Sequence, residues 1–226
     1  MNRLRILGLA LVAVFAMSAV VASAASAAWV ASPWEAFYSG SWHVVTTTIK
    51  VTSAGTLKLK NGGDEVECEG TNKGTIGAGG IDEVLTVTVK NPCKLIANSG
   101  CKSPQPSGFP KAAAIHLPWK TQLEDETNGE KRDKITAHTG GEAPGWSVEC
   151  ENILKGKSKV ECTAAEELTK VTNESMSFLT TFAPTGEPAS CKGGISSKGA
   201  VIGPVKFSVE AGQEIGGEKV EGVRAG

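Results

Sequence analysis

The chain is poor in histidine and in aromatic side chains, with three of the former and only 5% of the latter in 226 residues. Those scarcities bear directly on chemistry. His43, His116 and His138 lie far apart, and no G-x-S-x-G is present, so a serine hydrolase lacks its usual local signature. His116 sits between Ile115 and Leu117 and His138 follows Ala137, which places both on the solvent face of alternating segments. No C-x2-C pair occurs, so a structural zinc site has no ligand framework. Gly77-Ala78-Gly79-Gly80 leads into strand-like Leu85 to Val89, not a helix, and reads as a turn, not a phosphate cradle. No cofactor is expected.

Charge of either sign is also modest, with 23 basic against 24 acidic residues. Loss of residues 1–27 removes Arg3 and Arg5 and leaves an excess of about three negative charges. A nucleic-acid partner is not implied, nor is a membrane beyond transient contact through the N-terminal segment. No apolar stretch long enough to span a bilayer follows residue 27. The first cysteine is Cys68, so no lipid-accepting cysteine follows that segment, and Arg3-Leu4-Arg5 is not a twin-arginine pair.

The N-terminus itself has the order of a secretory signal: basic Arg3 and Arg5, an apolar run from Ile6 to Ala22, then Ala22-Ser23-Ala24 and Ala25-Ser26-Ala27 as two A-x-A cleavage sites. The run approaches the roughly 17-residue lower limit of a spanning helix. A retained anchor would carry charged flanks where these small residues stand, so cleavage is expected, with the second site favoured. The expected product is secreted or extracytoplasmic.

Export gives the cysteines their meaning. Cys68, Cys93, Cys101, Cys150, Cys162 and Cys191 all follow the signal, and an even number in an exported chain implies disulfides. Local geometry suggests Cys93 with Cys101 around the Asn98-Ser99-Gly100 loop. It suggests Cys150 with Cys162 across a hairpin centred on Gly156, which leaves Cys68 for Cys191.

The rest alternates with a period of two. Ile49 and Val51 oppose Thr48 and Lys50, Leu57 and Leu59 oppose Lys58 and Lys60, and Val205, Phe207 and Val209 oppose Lys206, Ser208 and Glu210. Leu85, Val87 and Val89 are assigned to one face on the same grounds, and Trp146, Val148 and Cys150 share another. Threonine, lysine and glutamate on the outer faces suit water. Glycine- and proline-rich punctuation between short segments predicts an all-β fold: an antiparallel β-sandwich or barrel-like fold with three disulfides, preceded by the signal-peptide helix. The expected domains are residues 1–27 as signal peptide, 28–41 as an aromatic leader, 42–211 as one disulfide-stapled β domain, and 212–226 as a flexible tail.

Two carboxylate groupings invite a catalytic or metal reading. Glu65, Glu67 and Glu69 alternate with Val66 and Cys68 and therefore line an outer face, which is a solvated strand and not a glycosidase pair. Glu124 to Glu130 gathers oxygen ligands around a turn but lacks EF-hand spacing, so no metal site is assigned. The candidate binding surface is aromatic: Trp34, Tyr38 and Trp42 near the new N-terminus, with Trp119 and Trp146 further on.

Several short motifs occur together: Trp42-His43-Val44, Cys68-Glu69-Gly70, the Cys93 and Cys101 pair, Leu117-Pro118-Trp119-Lys120, Arg132-Asp133-Lys134-Ile135, Gly145-Trp146-Ser147-Val148-Glu149-Cys150, and Cys191 followed by Gly203-Pro204-Val205. Through them the chain resembles a family of small exported actinobacterial proteins. The resemblance implies export and a disulfide-stapled fold, and it brings no activity or catalytic residue. The expected function is a non-enzymatic cell-surface or extracellular structural or binding module, with envelope glycan or a surface protein as partner. The alternative is a secreted hydrolase acting on carbohydrate or peptide, which would need a pocket joining His116 or His138 to two carboxylates.

Overall fold

The computed structural model describes residues 29–126, 129–182, 187–194 and 198–226. The export signal at residues 1–27 lies outside the described residues. Strands β1 (Val30–Ala31), β2 (Trp34–Tyr38) and β3 (Ser41–Val44) lead into β4 (Ile49–Asn61) and β5 (Asp64–Ile76), a hairpin of two thirteen-residue strands. There follow β6 (Ile81–Val89), β7 (Lys94–Ala97), β8 (Lys111–Ile115), β9 (Trp119–Asp125), β10 (Lys131–Ala137), β11 (Gly145–Asn152) and β12 (Gly156–Thr163). The chain ends with β13 (Glu166–Asn173), β14 (Phe178–Phe182), β15 (Glu187–Lys192), β16 (Lys198–Ile202), β17 (Pro204–Val209), β18 (Glu214–Ile215), β19 (Glu218–Lys219) and β20 (Gly222–Ala225).

Eight strands close into an antiparallel barrel in the order β4, β5, β6, β9, β10, β13, β14, β17 and back to β4. Closure leaves no free edge in that ring. The long hairpin outruns the barrel, and its far half joins a second sheet in the order β8, β11, β12, β15, β16, β4, β5, β7. On β4, Gly55 is the last residue opposite β17, while Lys58 to Asn61 pair with β16. On β5, Gly70 is the last residue opposite β6, and Glu67 begins the pairing with β7.

Gly55 and Gly70 face each other in the hairpin register at this waist. A Cβ on Gly55 would stand 2.6 Å from the Pro204 carbonyl oxygen, and one on Gly70 would stand 2.9 Å from that of Thr88. Glycine is required there because neighbouring backbones approach too closely for any side chain.

Each half has its own core. The first unites Trp34, Ile49, Val51, Ile76, Leu123 and Phe178, and the second unites Leu57, Leu59, Trp119, Ile135, Trp146 and Val205, with Phe207 packed against both. The alternation of β4 carries this through, since Ile49, Val51, Leu57 and Leu59 are all buried. The acidic side chains of β5 line the outer face as parity predicted, and there Lys60 pairs with Glu65 at 3.0 Å and Lys58 with Glu67 at 3.8 Å. On β6 the expected inward set shifts. The β5–β6 register breaks at Lys73/Gly74 and leaves Leu85 as an exposed bulge residue, so Val84, Val87 and Val89 are the ones packed on the core.

Within the segments expected as an aromatic leader, 28–41, and a flexible tail, 212–226, the described residues form ordered strands. Trp34 to Phe37 pair with Gly222 to Ala225, and this three-stranded sheet of β20, β2 and β3 buries Trp34, Ala36, Val223 and Ala225 against the barrel core. Composition alone made 212–226 look loose. What orders it is a partner nearly two hundred residues away.

All six cysteines are bonded, but not as local geometry suggested. The pairs are Cys68–Cys93, Cys101–Cys150 and Cys162–Cys191. The hairpin register explains the second error, because Asn152 faces Gly156 and Cys150 faces Ser158, centring the turn on Leu154 instead of Gly156. Cys162 instead faces Cys191 directly across β12 and β15. Cys93 and Cys101 are held apart by β7, whose four residues span about 13 Å against the roughly 4.4–6.8 Å that a disulfide allows.

Every bridge lies in the half beyond the barrel. The loops of 25, 49 and 29 residues contribute roughly 3.5 to 4 kcal/mol each in the chain-entropy account. Three disulfides also indicate an oxidising, extracytoplasmic setting. No helix among the described residues is long and apolar enough to cross a membrane. Peptide mapping of the unreduced protein is expected to recover these three pairs, and a Cys150–Cys162 peptide would contradict the hairpin register.

Candidate functional site

The five aromatic candidates do not form one surface. Trp119 and Trp146 meet edge to face at 5.8 Å between ring centroids, both buried. Trp119 comes from the barrel and Trp146 from the second sheet, so the pair cements the two halves and is core. Trp119 Nε1 donates to the Ile115 carbonyl at 2.9 Å, whereas Trp146 Nε1 is buried without a partner. Trp34 is wholly buried, 4.5 Å from Phe178. Tyr38 stacks on His43 at the margin of the barrel core. Trp42 packs on Phe37 and under the Arg224 guanidinium at 4.3 Å, and Arg224 in turn binds Glu35.

The histidines likewise stay apart. His116 Nδ1 bonds the Ala143 carbonyl and Nε2 contacts Glu142 at 2.8 Å, while His138 contacts Glu83 at 2.8 Å. In the oxygen-rich turn at 124–130, Glu124 binds Arg132 and Lys134, and Asp125 binds Lys131. Residues 127–128 of that turn lie outside the described residues. Among the described residues no group of three or more histidine, cysteine or carboxylate side chains could hold a metal.

What the barrel does assemble is a polar row in its interior. Asp82 of β6 faces Thr121 of β9, and Asp133 of β10, opposite Leu123 of β9 and Thr169 of β13, stands on the diagonal from Thr121. Direct and diagonal neighbours on one sheet face are within side-chain reach, so Thr121 acts on both aspartates. Asp82, Thr121 and Asp133 line a chamber of about 20 Å³ closed by Val51, Phe178 and Phe207. Asp82 also floors an open groove of about 310 Å³ on the outside, beside Glu83 and Lys120.

Asp82 Oδ1, Asp133 Oδ1, Thr121 Oγ1 and, nearby, Ser53 Oγ and Trp34 Nε1 are buried with no hydrogen bond of normal length. Burial therefore dominates the ionisation of the pair. It pushes Asp133 up to about 7, against relief from Thr121 and the Gln122 backbone and with a further rise from the charge of Glu124. It holds Asp82 well above the usual carboxylate range, reinforced by the charge of Asp133 and opposed by Thr121 and Trp34. Glu124, outside the chamber, goes the other way: burial is outweighed by its bonds to Lys134 and Arg132, and its carboxyl is lowered.

This pair is not a glycosidase dyad, because a chamber with room for about one water cannot admit a sugar. A second enclosed cavity, of about 40 Å³, lies between Trp146, Leu59, Val66 and the Cys101–Cys150 and Cys162–Cys191 bridges, and it too is far below ligand size. Sequence parity held a signal for Asp133, which shares its face with Ile135. Asp82 gave none, since the nearby bulge hides the phase of β6.

Two outcomes follow. A carboxyl raised on folding binds more protons in the native state, so its contribution is fully favourable below the unfolded value near 3.8 and is lost as pH rises to about 7. Wild-type stability is expected to fall between about pH 4 and pH 7 by up to roughly 4 kcal/mol from Asp133. Asp133→Asn should flatten that slope and raise Tm at pH 8, and a slope identical in variant and wild type would refute the assignment. Trp119→Ala should cost about 3–5 kcal/mol in denaturant unfolding, as large-to-small core changes do. A loss below about 1 kcal/mol would mean that the two halves do not depend on this contact.

No protein-family model, no curated protein and no solved structure matches this chain, so its function rests on its own residues and geometry.

Proposed function

We propose that the chain is exported through a cleaved signal peptide and acts outside the cytoplasm as a non-enzymatic structural or binding module. The basic, apolar and A-x-A order of residues 1–27 supports the export step. The three disulfides support the destination. The observation that carries the non-enzymatic reading is the filled interior: the buried carboxylate pair and the disulfide-lined cavity enclose about 20 and 40 Å³, so contacts with a partner belong to the outer surface.

That surface offers a broad concavity outside the waist, about 700 Å³, lined by Ala54, Thr56, Glu69, Thr71, Thr88 and Lys90. Lys90 bonds Glu69 at 3.1 Å along it. Threonine hydroxyls beside one exposed ion pair suit a hydroxyl-rich glycan of the envelope or an extended stretch of a surface protein. The hydrolase alternative has no convergent site behind it among the described residues, since His116 and His138 each meet a single glutamate in separate places.

N-terminal sequencing of protein recovered from culture fluid or envelope is expected to begin at Ala28, or at Ala25 if the first site is used. An intact Met1 would refute the export reading. Immobilised envelope glycan and surface-protein fractions should retain the mature protein, and Thr71→Arg, which fills the groove without touching either core, should abolish retention. Retention unaffected by that change would move the contact elsewhere.

A further inference from the structure

The β11–β12 turn breaks the usual rule that turns are polar. Ile153 and Leu154 stand at its crest, and Leu154 is 90% and Ile153 63% exposed, the two highest values among the large hydrophobic side chains of the described residues. We propose that this tip is a membrane contact, with Ile153 and Leu154 entering the interfacial layer of an anionic bilayer and the surrounding lysines lying against its phosphates.

The backbone of the turn is already prepared for a medium without water. Asn152 Oδ1 accepts from the Leu154 and Lys155 N–H groups at 2.8 and 3.1 Å, and Ile153 N–H donates to the Gly100 carbonyl at 3.0 Å. Entry of the tip into lipid headgroups therefore strands no N–H group of these three residues, which lowers the cost of placing a loop there. The pedestal is also rigid. The Cys101–Cys150 bridge lies just below the crest, Cys101 pairs with Asn152 as an isolated bridge, and Lys102 N–H donates to the Glu151 carbonyl. A pre-ordered tip loses little conformational freedom on binding.

The charge around the tip is positive although the chain as a whole is weakly acidic. Lys155 and Lys157 follow the crest, and Lys111 on the neighbouring β8 joins Lys157 over the Phe109 ring, at 5.2 and 5.3 Å. The nearest carboxylate on the hairpin, Glu151, is engaged by Lys102 at 3.4 Å. Overall charge argues against an anionic surface as partner, and only the local arrangement argues for one.

Shape selects lipid over a protein. A specific protein interface needs about 800 Å² per partner, organised around aromatic or arginine anchors. A convex crest of two aliphatic side chains ringed by lysines offers neither, and it fits a deformable, negatively charged interface. The tip also lies at the Asn61 end of the long hairpin, where Asp64 accepts from the Ser99, Gly100 and Cys101 N–H groups. Strands β2 and β20 pair at the opposite end, around Trp34 and Ala225.

The test uses the mature protein with vesicles of phosphatidylcholine alone and of phosphatidylcholine with about one third phosphatidylglycerol, so it does not depend on export and its failure leaves that reading untouched. Co-sedimentation is expected with the anionic vesicles only, weakening as salt rises from about 0.1 M to about 1 M and the screening length shrinks from about 10 to 3 Å. Leu154→Asp should lower the partition coefficient about tenfold or more with an unchanged melting curve. Lys155→Glu with Lys157→Glu should remove the preference for anionic lipid. No sedimentation with either vesicle, or equal binding by Leu154→Asp, would overturn the proposal. So would a concentration-dependent dimer that Leu154→Asp dissociates, because the tip would then serve a second copy of the chain.

Discussion

The structure depends on one hairpin that is longer than either body it serves. β4 and β5 run together for thirteen residues, and every other part of the fold takes its place from which half of that ladder it joins. The near half is closed by β6 and β17 into a ring, and the far half collects β7 and β16 into an open sheet. Gly55 and Gly70, opposed at the division, let four backbones crowd together where strands leave and arrive. Phe207 and the Trp119–Trp146 contact then make the two cores one packing problem.

The division accounts for where the covalent bonds are. A closed ring satisfies its strand edges with backbone hydrogen bonds and needs no staple. The far sheet has edges at β7 and β8 and strands of only four and five residues. All three disulfides fall in that half, one holding the chain as it passes from β6 to β7, one tying the loop after β7 to β11, and one crossing β12 to β15. The barrel can carry a different burden. Its interior holds two carboxyls at a cost that the surrounding Trp34, Leu123 and Phe178 packing withstands, and that cost makes its stability depend on proton concentration.

Much of this was legible in the residues. Alternation identified β4, β5 and β17 with the correct faces, since a period of two needs no partner to be read. It also put Cys150 and Val148 beside Trp146, where the second cavity finds them. Asp133 could have been read as inward from Ile135 two positions on. The bulge that exposes Leu85 could not, because a single extra residue leaves the composition of β6 unchanged while inverting the faces of its first half.

By itself, the sequence determined an all-β chain with water-facing threonine, lysine and glutamate, six cysteines in an even set, and an export pattern at its start, because each of these is a local property of residue type and spacing. Only the tertiary structure decided which cysteines meet, that the aromatic N-terminal strand and the glycine-rich C-terminus complete one sheet, and that Trp119 and Trp146 are core and not surface. Those outcomes depend on register between segments far apart in the chain, and register is set by the whole set of strands packing at once. A hairpin centred on Leu154 instead of Gly156 is enough to change a cysteine's partner and to bring an apolar crest into solvent.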